Sequence, residues 1–282
     1  MPLAIRIVTD RTCDLTPEIA EQYGIGIVPC YINVGEKSYL DGVDILRKDF
    51  YAQLPYFKPH PKTSAPGIGM YSAVYQRLAN EGADQIISIH IHSGLSNLSN
   101  AARLAAEAAD KIKVTVVEAG QLTIGLGFLA ISAAQAARKG LSADEILKII
   151  KLQDERTFVL FALDTLEYLR LSGRAPGLVV SIANLLRIKP IIQLHRGELR
   201  PVGQERTTTK SIDHLVNRVK KLGKMERLAV LHTSAHEKAE LLAEKLRAQI
   251  SQKLDIWVSE VTPVLGVHVG PGLVGLACVA AE

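Results

Sequence analysis

An α/β protein made of two α/β domains is the fold class this sequence predicts. Short apolar runs alternate with longer stretches of helical period through the first half, and the second half adds a hairpin signal to such crossovers. Of 282 residues 48% are hydrophobic but only 5% aromatic, so Ile, Leu, Val and Ala must fill the interior, as in sheets buried on both faces. The expectation is an N-terminal domain over residues 1–155, three-layered on a mainly parallel sheet, and a C-terminal domain over 156–282 on a mixed sheet.

Residues 5–9 read as a strand. Thr16-Pro17-Glu18-Ile19 then opens a helix with a hydroxyl cap and Pro in its first turn, and Gly24 closes it. Residues 26–34 read as extended. Helical period predicts helices over 67–81, 96–111, 122–139 and 143–155, with strands at 85–91 and 114–118 between them. Such alternation makes the sheet parallel with helices on both faces, and ligands then bind beyond the carboxyl ends of its strands, where loop 93–97 lies. Beyond 155 the pattern gives a strand at 158–163, helices at 164–171 and 178–186, and a strand at 189–194 that turns at Arg196-Gly197-Glu198 into a hairpin. A helix at 208–222, a strand at 228–232, a charged helix at 235–252 and strands at 256–261 and 274–279 follow.

Several function classes fall away. The net charge is only +4 and its densest run, Arg218 to Lys224, sits at an expected helix end where cations complement the dipole, so no nucleic-acid partner is expected. Cys13, Cys30 and Cys278 are odd in number and far apart, which offers no disulfide framework and fits a reducing compartment. The amino terminus has no leader pattern and no stretch reaches the ~18 apolar residues of a membrane span. A cytoplasmic protein without stable membrane insertion is the expectation. Gly125-Leu126-Gly127-Phe128-Leu129-Ala130 resembles a dinucleotide fingerprint but lies inside a helical pattern, away from any strand end. His90 with His92, and His232 with His236, offer metal-ligand pairs for which the sequence supplies no neighbouring carboxylate, so neither metal nor cofactor is expected.

Three stretches are suited to an anion. Ser93-Gly94-Leu95-Ser96-Asn97 breaks a strand into a helix start, whose unpaired N–H groups attract negative charge. Lys62-Thr63-Ser64-Ala65-Pro66-Gly67 and His268-Val269-Gly270-Pro271-Gly272 have the same small, polar texture. Ser, Thr and Asn are also ordinary helix caps. A different chemistry is open to Ser96 and His268, which would serve an acyl-ester hydrolase if a carboxylate oriented the histidine.

These motifs occur together with Thr9-Asp10-Arg11-Thr12-Cys13-Asp14-Leu15, Tyr39-Leu40-Asp41-Gly42-Val43-Asp44, Glu167 to Arg174 and Leu186-Arg187-Ile188-Lys189-Pro190-Ile191. In order and spacing the set resembles the DegV family over essentially the whole chain. The resemblance implies a bacterial protein that binds a long-chain fatty acid and presents its carboxylate to a separate fatty acid kinase, which makes an acyl phosphate for phospholipid synthesis. It implies no catalytic residue in this chain. Thr63, Ser64, Ser96, Asn97 and His268 would meet the carboxylate, and Arg174 and Arg206 match arginines of the mouth or of the kinase contact. Ser96-Asn97-Leu98 stands where relatives carry Ser-Gly-Thr, and Glu118-Ala119 where they carry Asp-Ser. A likeness to the dihydroxyacetone kinase binding domain, with a sugar-like substrate on His268, is a third reading.

Overall fold

The computed structural model describes residues 4–182, 188–250 and 254–282. In chain order its elements are β1 (Ile5–Asp10), α1 (Pro17–Tyr23), β2 (Ile25–Val28), β3 (Tyr31–Val34), β4 (Lys37–Leu40), α2 (Arg47–Gln53), β5 (Lys62–Ser64), α3 (Ile68–Asn80), β6 (Gln85–Ile91), α4 (Leu98–Glu107), β7 (Lys113–Ala119), α5 (Thr123–Arg138) and α6 (Ala143–Arg156). They continue as β8 (Thr157–Ala162), α7 (Glu167–Ser172), α8 (Pro176–Ile182), β9 (Lys189–His195), β10 (Glu198–Glu205), α9 (Thr208–Lys221), β11 (Met225–His232), α10 (His236–Gln249), β12 (Ile256–Glu260), α11 (Pro263–Val269) and β13 (Val274–Ala280).

The first sheet is parallel throughout, in the order β2-β1-β6-β7. Every residue of β6 is buried, because helices cover both faces. Ile87 and Ile89 pack with Ile7 toward α5, whereas Ile86 and Val8 pack with Tyr71, Tyr75 and Ala102 of α3 and α4. Thr16 caps α1 by accepting from Ile19 N at 3.4 Å, and Gly24 ends it at φ 64°. The second sheet is mixed, in the order β10-β9-β8-β13-β11-β12. Leu160, Val230 and Leu276 face α9 and α10, and Val159, Phe161 and Leu231 face back toward α5. The α/β class and the pairing of a parallel with a mixed sheet are therefore as the pattern predicts.

Helix α5 lies between the sheets and is apolar around its whole circumference, as a helix buried on all sides must be. A Cβ on Gly125 would lie 2.9 Å from Val159, and one on Gly127 would lie 2.8 Å from the Cys13 carbonyl oxygen. The glycines that mimic a dinucleotide fingerprint are close-packing positions.

One expectation is refined, one part of the fold was missed and one expectation needs correction. Residues 26–34 are two strands in different sheets, divided at Pro29, which has no N–H to donate to a ladder. An antiparallel sheet ordered β4-β3-β5, together with α2, was not legible, because its strands are only three or four residues long. Residues 263–269 form helix α11 where the sequence suggested loop, so His268 stands in a last helical turn. Thr262 followed by Pro263 is a helix-start signal that could have found it. The expected helix at 178–186 is α8 as far as Ile182, and its remainder lies outside the described residues, as do the last residues of the helix expected at 235–252.

Candidate functional site

A cavity of about 420 Å³ lies between the two sheets, within the ~300–1,000 Å³ of ordinary ligand sites. Val159, Phe161 and Leu231 of the mixed sheet form one wall, Leu169 and Leu178 of α7 and α8 another. Ile91 and Leu98 close the side toward the parallel sheet, and Val264, Leu265 and Val269 of α11 complete the enclosure. All of these side chains are aliphatic or aromatic, so the space is suited to hydrocarbon.

Six of its polar lining residues come from four separate segments. β5 contributes Thr63 and Ser64, the loop before α4 contributes Ser96 and Asn97, α11 contributes His268, and the α7–α8 connection contributes Arg174. The structure thus brings together six of the seven residues named from the sequence. Arg206 does not join them, being exposed beyond the end of β10 and absent from the cavity wall. Thr12 and Thr123 also line the cavity and were missed. The first follows the carboxyl end of β1, where a parallel sheet collects ligand groups.

Within this cluster Thr63 Oγ1 and His268 Nε2 are 3.0 Å apart. His268 Nδ1 is buried and, among the described residues, has no hydrogen-bond partner. Burial, reinforced by the positive charge of Arg174 and by His60, pushes the imidazole down to about 3, so the ring is neutral at physiological pH. His60 donates to the Val267 carbonyl at 3.0 Å and meets the Tyr168 ring edge-on. Gly270 ends α11 at φ 71°, where a Cβ would lie 2.2 Å from Tyr168. No other residue fits there.

Helix capping does not account for Ser96 and Asn97. Asn97 occupies the cap position of α4 without making the cap hydrogen bond, its Oδ1 accepting instead from Asn100 at 2.8 Å. Ser96 Oγ makes no hydrogen bond among the described residues and remains available to a ligand. Thr63 is a strand residue opposite Ile32. Ser93 is what pins the loop, donating through N and Oγ to Glu118 Oε1 at 2.7 and 2.6 Å. Burial pushes Glu118 up, but the Ser93 and Arg103 hydrogen bonds outweigh it and bring the carboxyl down to about 2.

Nucleophilic chemistry finds no support in this geometry. His268 Nε2 faces Thr63, and no carboxylate meets its Nδ1. A row of triad composition does exist elsewhere: Asp10 Oδ2 to His90 Nδ1 at 2.8 Å, and His90 Nε2 to Ser88 Oγ at 2.7 Å. It is wholly inaccessible and continues to Tyr75 Oη at 2.9 Å, so it braces the sheet. The sequence had seemed to offer His90 and His92 no carboxylate, yet the fold supplies Asp10 to the first and Glu118, 3.4 Å away, to the second. Among the described residues, no group of three or more His, Cys, Asp or Glu is arranged to hold a metal ion. Nor is any described helix long and apolar enough to cross a membrane.

Fold and site together define a class: α/β proteins in which a parallel and a mixed sheet flank a largely apolar cavity with hydroxyl, imidazole and guanidinium groups in its wall. The chain belongs to the DegV family, whose model matches residues 4–281. A DegV domain-containing protein of Streptomyces coelicolor is 34% identical over 274 residues, covering 96% of this chain and 97% of that one. Protein DegV of Bacillus subtilis is 30% identical over 276 residues, covering 96% and 98%. Among solved structures, a Thermus thermophilus DegV family protein described for its fatty acid binding superposes with a TM-score of 0.91 at 27% identity, covering 99% of this chain and all of that one. The structure of B. subtilis DegV, described as a fatty acid binding protein, gives 0.89 at 29% identity, covering 98% and 99%. In those proteins the fatty acid is a ligand rather than a cofactor.

Proposed function

We propose that this protein binds a long-chain fatty acid in the apolar cavity and presents its carboxylate to a partner fatty acid kinase for phosphorylation. The observation that carries the reading is the largely apolar cavity whose wall includes the polar side chains of Thr63, Ser96 and His268. Burying some fifteen methylenes at ~0.8 kcal/mol each supplies about 12 kcal/mol gross, against roughly 4–15 kcal/mol for association and ordering. The tail therefore provides most of the affinity, and a buried carboxylate without donors would cancel it.

The donors have a defined order in this proposal. His268 Nε2–H donates to Thr63 Oγ1, which frees the Thr63 hydroxyl proton for the carboxylate, and Ser96 Oγ–H donates beside it. Ser64 and Asn97 flank these two, and the Arg174 charge faces the same head group. Arg206, on the outer surface, is assigned to the kinase contact. We also assign residues 1–155 and 156–282 to the two domains that hold the ligand between them, in a cytoplasmic setting that fits three free thiols. Resemblance to the family, the two fatty-acid-binding relatives and a His268 Nδ1 that no described carboxylate meets support this reading over an ester hydrolase.

The test of the presenting role is an acyl phosphate assay with ATP and a bacterial fatty acid kinase subunit. Loaded protein should yield acyl phosphate, and Arg206→Ala should lower the yield without lowering fatty acid content. Equal acyl phosphate production in the presence and absence of this protein would contradict the presenting role.

A further inference from the structure

Two sequence motifs remain unexplained by the cavity wall, those centred on Asp14 and Asp41. Both carboxylates are buried, and neither lines the cavity. Their oxygens point instead at the start of α11. Asp14 Oδ1 accepts from Thr262 N at 2.8 Å and from Thr262 Oγ1 at 2.7 Å. Asp41 Oδ2 accepts from Val264 N at 2.7 Å, while its Oδ1 takes Arg11 Nε at 3.1 Å. Arg47 binds the carbonyls of Asp14 and Glu260, and Tyr51 Oη donates to the Val261 carbonyl at 2.9 Å. A Cβ on Gly266 would lie 2.5 Å from that tyrosine oxygen, so the helix can approach this closely only at glycine.

Alone, α11 has little to hold it. It spans seven residues, has no acidic side chain in its first turn and gets no cap bond from Thr262. A helix that short does not persist in water without outside contacts. Side chains from residues 11–51 supply those contacts, satisfying its unpaired N–H groups and placing negative charge at the positive end of its dipole. The same helix carries His268 in its last turn and Val264, Leu265 and Val269 in the cavity wall.

We infer that Asp14 and Asp41 are positioning residues, which fix the start and the rotation of α11 and thereby hold His268 Nε2 against Thr63 Oγ1. The importance of that contact for a ligand rests on the fatty-acid reading above, but the positioning does not. A helix released at its start would swing its last turn, take the imidazole off Thr63 and expose it to water.

The experiment follows the His268 ring by NMR in selectively labelled protein, alongside displacement of a fluorescent fatty acid. Arg174, His60 and Thr63 are the groups that face the ring, and none of them is substituted. In Asp41→Ala and in Asp14→Ala the His268 midpoint, which burial holds low in the wild type, should rise by at least one pH unit, and probe affinity should fall at least tenfold. Asp14→Asn, which keeps an acceptor for Thr262 but loses the charge facing the start of α11, should move both readouts less than Asp14→Ala does. Thr262→Val, which removes the hydroxyl's contacts to Asp14 Oδ1 and the Arg11 carbonyl and keeps the backbone ones, covers the case in which an alanine variant does not fold and should move both readouts the same way by a smaller factor. Alanine variants with an unmoved His268 midpoint would overturn the inference. Should wild-type protein bind no fatty probe, the function proposed above fails, and the ring titration still decides the positioning.

Discussion

Protein carrying both Thr63→Val and Ser96→Ala should bind a long-chain fatty acid at least about 100-fold more weakly than wild type, since each hydrogen bond to a charged acceptor contributes roughly 1.5–3 kcal/mol and each ~1.4 kcal/mol is tenfold in affinity. Valine has the shape of threonine and keeps the β-branching that suits β5, so the strand and its pairing with β3 should persist. The apolar wall is untouched. Binding should therefore weaken through the head group alone, and the loss should be nearly the same for fatty acids of different length. Fluorescent fatty acid displacement across a series of chain lengths checks this. A change of less than about threefold, only some 0.6 kcal/mol, would show that the carboxylate sits elsewhere.

The second large effect is on stability. Asp10 has no exposed surface and accepts from Thr12 N at 2.9 Å, Thr12 Oγ1 at 2.5 Å and His90 Nδ1 at 2.8 Å. His90 hands the chain on to Ser88 and Tyr75, all of them buried. Asp10→Ala strands three donors in a dry interior, and breaking a buried charged partner from one side costs about 3–5 kcal/mol. Against a typical total of ~5–15 kcal/mol that is a large fraction. Urea unfolding should show it as a lower midpoint, and Ser88→Ala, at the middle of the row, should cost about 1–3 kcal/mol. A loss below about 1 kcal/mol in Asp10→Ala would mean that water reaches the row and satisfies it.

Most of this fold was legible because long elements obey one period. β1, β6, α5 and α9 each carry an uninterrupted pattern, and Thr16-Pro17 with Gly24 marks both ends of α1. What escaped was short. β4 and β5 bury too few side chains for alternation to show, and α11, at seven residues, is stabilised by Asp14 and Asp41 from far along the chain. For the site, loop texture marked the stretches around Thr63, Ser96 and His268, the resemblance singled out those residues, and the fold places all three in the cavity wall. Their hydrogen bonds were not foreseeable, since the Thr63–His268 contact joins residues 205 positions apart. Ser93 illustrates the limit from the other side. It has the same texture as Ser96, yet Glu118 holds it as a loop anchor, a partnership visible only once β6 and β7 are adjacent.

Mass spectrometry of the organic extract from denatured, bacterially expressed protein measures the central claim most directly. The account predicts close to one long-chain fatty acid released per chain, with delipidated protein regaining it on incubation. Protein that yields no fatty acid and takes up none when it is offered would contradict the account.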